Sequence, residues 1–167
     1  MEQTSSEYIL LKESCIHSNG IFASKNISKG TRVIEYVGDK VTKKESDKRS
    51  DLTFERNEKD ENHGMVYIFE LNKKYDIDGD VSWNTAKYIN HSCNPNCEVE
   101  IKKGEIWVVA IKNIKEGDEI SYDYGYDLDG FEDHPCCCKS KNCVGYIVSE
   151  DERPKLLKKL SNFSKKV

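Results

Sequence analysis

Three cysteines in the segment Cys136-Cys137-Cys138 to Cys143 have the spacing Cys-x-Cys-x4-Cys, which sets three thiolates close enough to face one ion. A structural zinc site is closed by four ligands in a tetrahedron. The fourth is available well upstream, from Cys93 or from Cys97. Cys137 leaves the register open, since it can stand in for a neighbour. The chain has seven cysteines, an odd number, and most of them cluster instead of spreading along the sequence. Clustering favours a metal over disulfides, and a metal held by thiolates implies an intracellular, reducing compartment, the nucleus or the cytoplasm. The upstream cysteines sit in the polar run Asn90-His91-Ser92-Cys93-Asn94-Pro95-Asn96-Cys97. Residues of these types build a structured loop by bonding side chains to main chain.

The elements that must position these residues are mostly short strands. Tyr8 to Leu11, Arg32 to Val37, Met65 to Leu71, Tyr75 to Ile77 and Glu119 to Asp123 are rich in β-branched and aromatic residues and bounded by turn residues. Ser18-Asn19-Gly20 is a turn leading into Ile21-Phe22-Ala23. Val99 and Ile101 alternate with charged residues, and after Lys103-Gly104 the run Ile106 to Ile111 continues in the same style, which predicts a hairpin. Ser82 to Tyr88 is expected to form a short helix capped by Asp80 or Ser82. Val41 to Asn62 is almost wholly polar, an exposed and partly helical insert with Leu52 and Phe54 as its apolar anchors. Leu156, Leu157, Leu160 and Phe163 recur at helical spacing among Lys155, Lys158, Lys159, Lys165 and Lys166. This predicts a short basic amphipathic helix folded back on its own domain, with a docking surface as the alternative. The fold class expected is mostly β with short helices, in several small sheets.

Composition narrows the function. At 167 residues the chain is long enough for one domain with a real core, and a single folded unit is expected. Its formal net charge is −4, with 34% charged residues, so its long-range field repels a phosphate backbone and attracts a basic partner. Free nucleic acid is therefore excluded as the expected partner. No apolar run approaches the ~20 residues of a membrane helix, and the first twenty residues lack the pattern of a signal peptide, so a soluble monomer is expected.

Asn90 to Asn96 resembles the Asn-His-Ser-Cys-x-Pro-Asn signature of SET-domain protein-lysine methyltransferases, and Cys136, Cys138 and Cys143 resemble the cysteines of that family's post-SET segment. Gly20-Ile21-Phe22-Ala23 resembles the family's early cofactor-binding turn, Val33 to Gly38 its following strand, and Glu119-Ile120-Ser121-Tyr122-Asp123-Tyr124 its catalytic strand. The matches run in the family's order from about Tyr8 to Ile147. Two departures stand out: Ser18 replaces the usual first glycine of the turn, and Trp83 and Lys87 replace the usual glycine and arginine before Asn90.

The resemblance implies a SET fold (β-clip), with a SET domain over residues 7–126 carrying the insert 41–62, a post-SET zinc segment over 131–148, and a basic tail over 149–167. It implies a knot-like path in which the segment ending near Tyr124 passes beneath the loop of Asn90 and His91, and a zinc ion held by Cys93, Cys136, Cys138 and Cys143. It further implies S-adenosylmethionine as cofactor, bound by His17, Asn19, Gly20, Tyr36, Asn90, His91 and Tyr124. Tyr36, Tyr67, Tyr122 and Tyr124 are then the expected walls of a lysine channel. A free lysine is neutral to only about one part in 2,500 at pH 7, and an aromatic slot beside a sulfonium disfavours its charged form. Tyr124 matches the catalytic tyrosine, and a tyrosine at 122 resembles enzymes that stop after one or two methyl groups. The expected reaction is methyl transfer, mainly monomethylation, to a lysine in a basic protein segment such as a histone tail. The alternative is an inactive, zinc-stabilised binding module of the same fold.

Overall fold

A computed structural model describes residues 3–57 and 66–164, without the side chains of 54–57, 163 and 164. Met65 and the end of the insert, with Glu58, Asp60 and Glu61, lie outside the described residues, as do Lys165 and Lys166. The strands are β1 (Ile9–Glu13), β2 (Asn19–Ala23), β3 (Arg32–Tyr36), β4 (Asp39–Thr42), β5 (Ile68–Glu70), β6 (Tyr75–Asp78), β7 (Asn90–His91), β8 (Cys97–Lys102), β9 (Glu105–Ala110) and β10 (Ser121–Tyr122). Two α-helices join them, α1 (Lys43–Asn57) and α2 (Arg153–Ser164). The strands form four small sheets, ordered β1-β2, β10-β7, β3-β9-β8 and β4-β6-β5. By its contacts the chain divides into two compact units.

The first unit comprises Met1–Glu7, Arg32–Lys87 and Val99–Val108. Alternation along β9 buries Ile106 and Val108, and β3 buries Val33, Ile34 and Tyr36. The turn between β8 and β9 is made by Lys103 and Gly104, both at positive φ (54° and 87°), the two-residue geometry whose twist suits a hairpin. In the other sheet the register sets Asp39 opposite Asp78, and Glu70 opposite Asp76. Like charges facing each other are destabilising, and α1 answers each pair with a cation. Arg49 reaches Asp78 at 2.7 Å and Asp39 at 3.2 Å, while Lys43 reaches Asp76 at 2.6 Å and Glu70 at 3.0 Å. Of the two apolar anchors expected for the insert, Leu52 is 42% exposed and the side chain of Phe54 lies outside the described residues; among the described residues it is these ion pairs that tie the helix to the sheet. The short helix before β7 also differs. It is a single 3₁₀ turn, Thr85–Tyr88, and its first amide donates to the hydroxyl of Thr4, not to Asp80 or Ser82.

The second unit comprises Tyr8–Thr31, Tyr88–Glu98 and Val109–Val167. The hairpin β1-β2 pairs Ile9 with Ala23 through Glu13 with Asn19, and Ile27 bridges Ile114. Ile21, Ile27, Ile89, Ile114 and Ile120 are among its buried aliphatic residues. The predicted strand 119–123 narrows to β10, with Glu119 forming an isolated bridge to Phe22. The tail forms the amphipathic helix expected and lays it on its own unit. Leu156 is fully buried with Phe131 and Val148, and Leu160 packs against them.

Candidate functional site

The second unit gathers most of the residues singled out from the sequence. β7 and β10 run parallel, pairing Asn90 with Ser121 and His91 with Tyr122. The loop after β7 is shaped by its own side chains, since the Ser92 hydroxyl accepts from the amide of Asn94. Asn96 closes it: its side chain accepts from the Ser121 amide at 2.9 Å and donates to the Glu119 carbonyl at 2.8 Å. Residues 119–122 are thereby bonded to both ends of the loop that carries Cys93.

That loop brings Cys93 to the downstream thiols. The sulfurs of Cys93, Cys136, Cys138 and Cys143 all lie within 4.8 Å of one another, and those of Cys93 and Cys136 are 3.8 Å apart. Four sulfurs ~2.3 Å from a tetrahedral zinc are about 3.8 Å apart, so the donor set fits that ion in both chemistry and spacing. Main-chain amides point at the sulfurs, from Cys93 to Cys138 and from Gly145 to Cys143, as suits thiolates. Burial raises the Cys138 thiol, but bonds from Ser140 and from the Cys93 amide outweigh it and bring it down to about 6. Burial pushes Cys93 up to about 11. Cys97 and Cys137 stand outside the group: Cys97 is buried, its thiol pushed up by burial to about 12, and Cys137 is exposed.

Asn90 is the second hub. Its amide donates to the carbonyl of Asn19 at 3.1 Å, to that of His17 at 3.5 Å and to the Glu119 carboxylate at 2.8 Å. Ser14 donates to the same carboxylate at 2.7 Å. Gly20 sits against this group so closely that an added Cβ would lie 2.5 Å from the Glu119 oxygen and 2.8 Å from the Ser14 Cβ. Ser18, in the turn above it, takes φ 42°, the left-handed conformation of the glycine it replaces. His91 is buried, and burial lowers its pKa to about 4. Its Nδ1 accepts from the Tyr124 amide at 3.2 Å, which leaves Nε2 protonated toward the Cys93 sulfur 3.6 Å away.

Tyr124 donates its hydroxyl proton to the carbonyl of Ile89 at 2.9 Å. Its ring lies 5.0 Å from that of Tyr122, 5.7 Å from Tyr126 and 5.4 Å from His91, so the end of β10 carries a row of aromatic faces. Tyr36 and Tyr67 belong to the first unit, where the Tyr36 hydroxyl donates to the Tyr67 carbonyl at 2.8 Å. Glu119, Asp123 and Arg153 were not anticipated as site residues. The Asp123 carboxylate takes the Arg153 guanidinium at 2.6 Å and lies 3.6 Å from His91 Nδ1. Glu119 and Asp123 lie within the strand motif 119–124 read from the sequence, which was the signal for them, whereas nothing local marks Arg153 for the distant carbonyl of Cys93.

A small-sheet β fold with a four-thiol cluster beside an Asn-His loop is the architecture of one class of protein. The chain belongs to the SET-domain family, whose model matches residues 18–125. Among relatives, histone-lysine N-methyltransferase trr of Drosophila melanogaster is 36% identical over 149 residues, covering 86% of this chain and 6% of that protein. Histone-lysine N-methyltransferase 2D of Homo sapiens is 35% identical over 140 residues, covering 81% of this chain and 2% of that protein. The H3 lysine-4 specific histone-lysine N-methyltransferase of Schizosaccharomyces pombe is 36% identical over 138 residues, covering 80% and 14% respectively. The chain therefore spans only a small part of the length of these relatives. Among the described residues no helix is long and apolar enough to cross a membrane.

Proposed function

We propose that this chain transfers a methyl group from S-adenosylmethionine to the side-chain amine of a lysine in a basic protein segment, mainly once, with the histone H3 tail as the first substrate to test. The observation that carries the reading is the meeting of Tyr124, His91 and the Cys93 thiol group at one end of the β7-β10 pair. Relatives named as histone-lysine methyltransferases, one of them as H3 lysine-4 specific, support the substrate class. The net charge of −4 favours a basic partner.

The cofactor's sulfonium supplies the methyl group when bound. The residues that would hold it are His17, Asn19, Gly20, Asn90, His91 and Tyr124, and the carbonyls of His17 and Asn19 are acceptors, which suits a ligand with an ammonium. Tyr36 keeps its assignment from the sequence resemblance. Because the Tyr124 hydroxyl gives its proton to Ile89, what it offers a reactant is its lone pairs: it accepts an N–H of the amine and orients it, and does not remove a proton. The aromatic faces of Tyr122 and Tyr124 exclude water, which favours the neutral amine over the ammonium. Tyr122, 6% exposed, fills space beside the amine and disfavours a second or third methyl group. Zinc on Cys93, Cys136, Cys138 and Cys143 would fix the 136–143 segment to the Asn90 loop, a structural role with no part in the chemistry.

The test is incubation with labelled S-adenosylmethionine and either an H3 tail peptide or a cell extract, with Tyr124→Phe beside the native chain and zinc content measured on both. The expected result is a labelled lysine with the native chain and at least about a hundredfold less with the variant at equal zinc content. A zinc-loaded native chain that labels nothing and shows no heat of cofactor binding overturns the reading.

A further inference from the structure

We infer that Arg153 is a positioning residue: from the start of α2 its guanidinium ties the main chain of Cys93 to the carboxylate of Asp123, and so sets where Tyr124 stands. The side chain is buried, and each of its three nitrogens has a partner. Nε donates to the Val148 carbonyl at 3.2 Å, Nη1 to the Cys93 carbonyl at 2.8 Å and Nη2 to Asp123 Oδ2 at 2.6 Å. Both far partners are themselves fixed. The Cys93 carbonyl also accepts from Asn142 at 3.0 Å, and Asp123 accepts from the amides of Gly125 and Glu150.

The contacts close into a ring. Asp123 precedes Tyr124 in the chain, the Tyr124 amide bonds to His91, His91 faces the Cys93 sulfur, and Cys93 returns through Arg153 to Asp123. A buried polar network with every member satisfied is rigid, and loss of one member leaves the others without water to replace it. The stability of α2 does not account for the arginine. A cation at a helix N-terminus opposes the helix dipole, the first turn carries no acidic residue, and Leu156 and Leu160 already seat the helix on Phe131. The guanidinium is better placed for its two far acceptors, Cys93 and Asp123, than for its own helix.

The kinetic part of this inference rests on the methyltransferase reading, and the metal part does not. The experiment uses the full chain loaded with zinc and compares Arg153→Lys, Asp123→Asn and Leu156→Ala. Leu156→Ala loosens the same helix without touching the ring. Four quantities are measured: kcat and KM with the H3 peptide and the rate of zinc transfer to a chromophoric chelator, all well below each melting temperature, and the melting temperature itself. Arg153→Lys and Asp123→Asn are expected to lower kcat about tenfold or more with KM within about twofold, as a displaced catalytic group does, and to speed zinc transfer several-fold. Leu156→Ala is expected to lower the melting temperature at least as much yet leave kcat and zinc transfer within about twofold. Equal losses in Leu156→Ala, or native values in Arg153→Lys, overturn the inference. Should Arg153→Lys not fold, Asp123→Asn decides by the same criteria. A native chain without activity sinks the proposed function alone, and the zinc-transfer comparison still decides whether Arg153 braces Cys93.

Discussion

Gly20→Ala puts one methyl group where the structure leaves no room for it. The added carbon would lie 2.5 Å from Glu119 Oε1 and 3.2 Å from the Asn90 amide nitrogen. Glu119 cannot move aside freely, because its carboxylate holds the Ser14 hydroxyl and the Asn90 amide at 2.7 and 2.8 Å. Hydrogen bonds to a charged group contribute about 1.5–3 kcal/mol each, so displacing both costs about 3 kcal/mol or more. A chain of this size loses roughly 2–4 °C of melting temperature per kcal/mol, which predicts a fall of about 6–12 °C. Because Asn90 also holds the carbonyls of His17 and Asn19, calorimetry should show S-adenosylmethionine binding weakened more than tenfold. The cause is separable by a double-mutant cycle. In a Glu119→Ala background the shortest clash is gone, leaving the Ser14 Cβ at 2.8 Å and the Asn90 nitrogen at 3.2 Å, and the added penalty of Gly20→Ala should be smaller. An unchanged melting temperature in the single variant, or the same penalty in both backgrounds, refutes the reasoning.

Tyr122→Phe should raise the methylation state reached on the peptide, read by mass spectrometry; an unchanged product distribution counts against the role given to that hydroxyl. Cys93→Ser should reduce bound zinc from about one ion per chain, whereas Cys97→Ala should leave it unchanged, both by elemental analysis. Cys97 should resist alkylation at pH 8 in the native state, since its thiol is pushed up to about 12, while exposed Cys15 and Cys137 react quickly; peptide mapping checks this. The same shift has a sign for stability. Above the ordinary value of 9.0 the unfolded chain releases this proton and the folded chain keeps it, so stability falls as pH rises from 9. The gap between the denaturant midpoints of native and Cys97→Ala chains should be widest below pH 9 and narrow as pH rises above it.

What could be read from the sequence had local causes. Thiols at close spacing, a hairpin turn at Lys103-Gly104 and a leucine repeat in α2 each follow from neighbours a few residues apart. What could not be read depends on partners far along the chain. Leu52 suggested an apolar anchor for α1, but the helix lies over two facing pairs of carboxylates, and only the register of β4, β5 and β6 reveals that Lys43 and Arg49 are its true attachments. The cap of the 3₁₀ turn comes from Thr4, which no helix-start pattern near Ser82 can indicate. Ser18 was a departure from the family pattern, and the structure absorbs it: a serine held at φ 42° costs about 1–2 kcal/mol relative to an ordinary conformation, and the turn is kept. Arg153 carries no local mark because it satisfies the carbonyl of Cys93 and the carboxylate of Asp123, far along the chain.

The second unit is assembled from three separated stretches of chain, and its contacts reach as far as the Ser14–Glu119 hydrogen bond, 105 residues apart. Such distant pairings slow folding, because loop closure must precede the contacts that reward it. During synthesis the hairpin β1-β2 leaves the ribosome long before β10 and the terminal thiols that complete its surroundings. Ile21 and Ile27 therefore lack their distant partners until Ile120 and Ile114, which bond to them, have emerged. A chaperone that shields aliphatic strands should accordingly raise the yield of this fold.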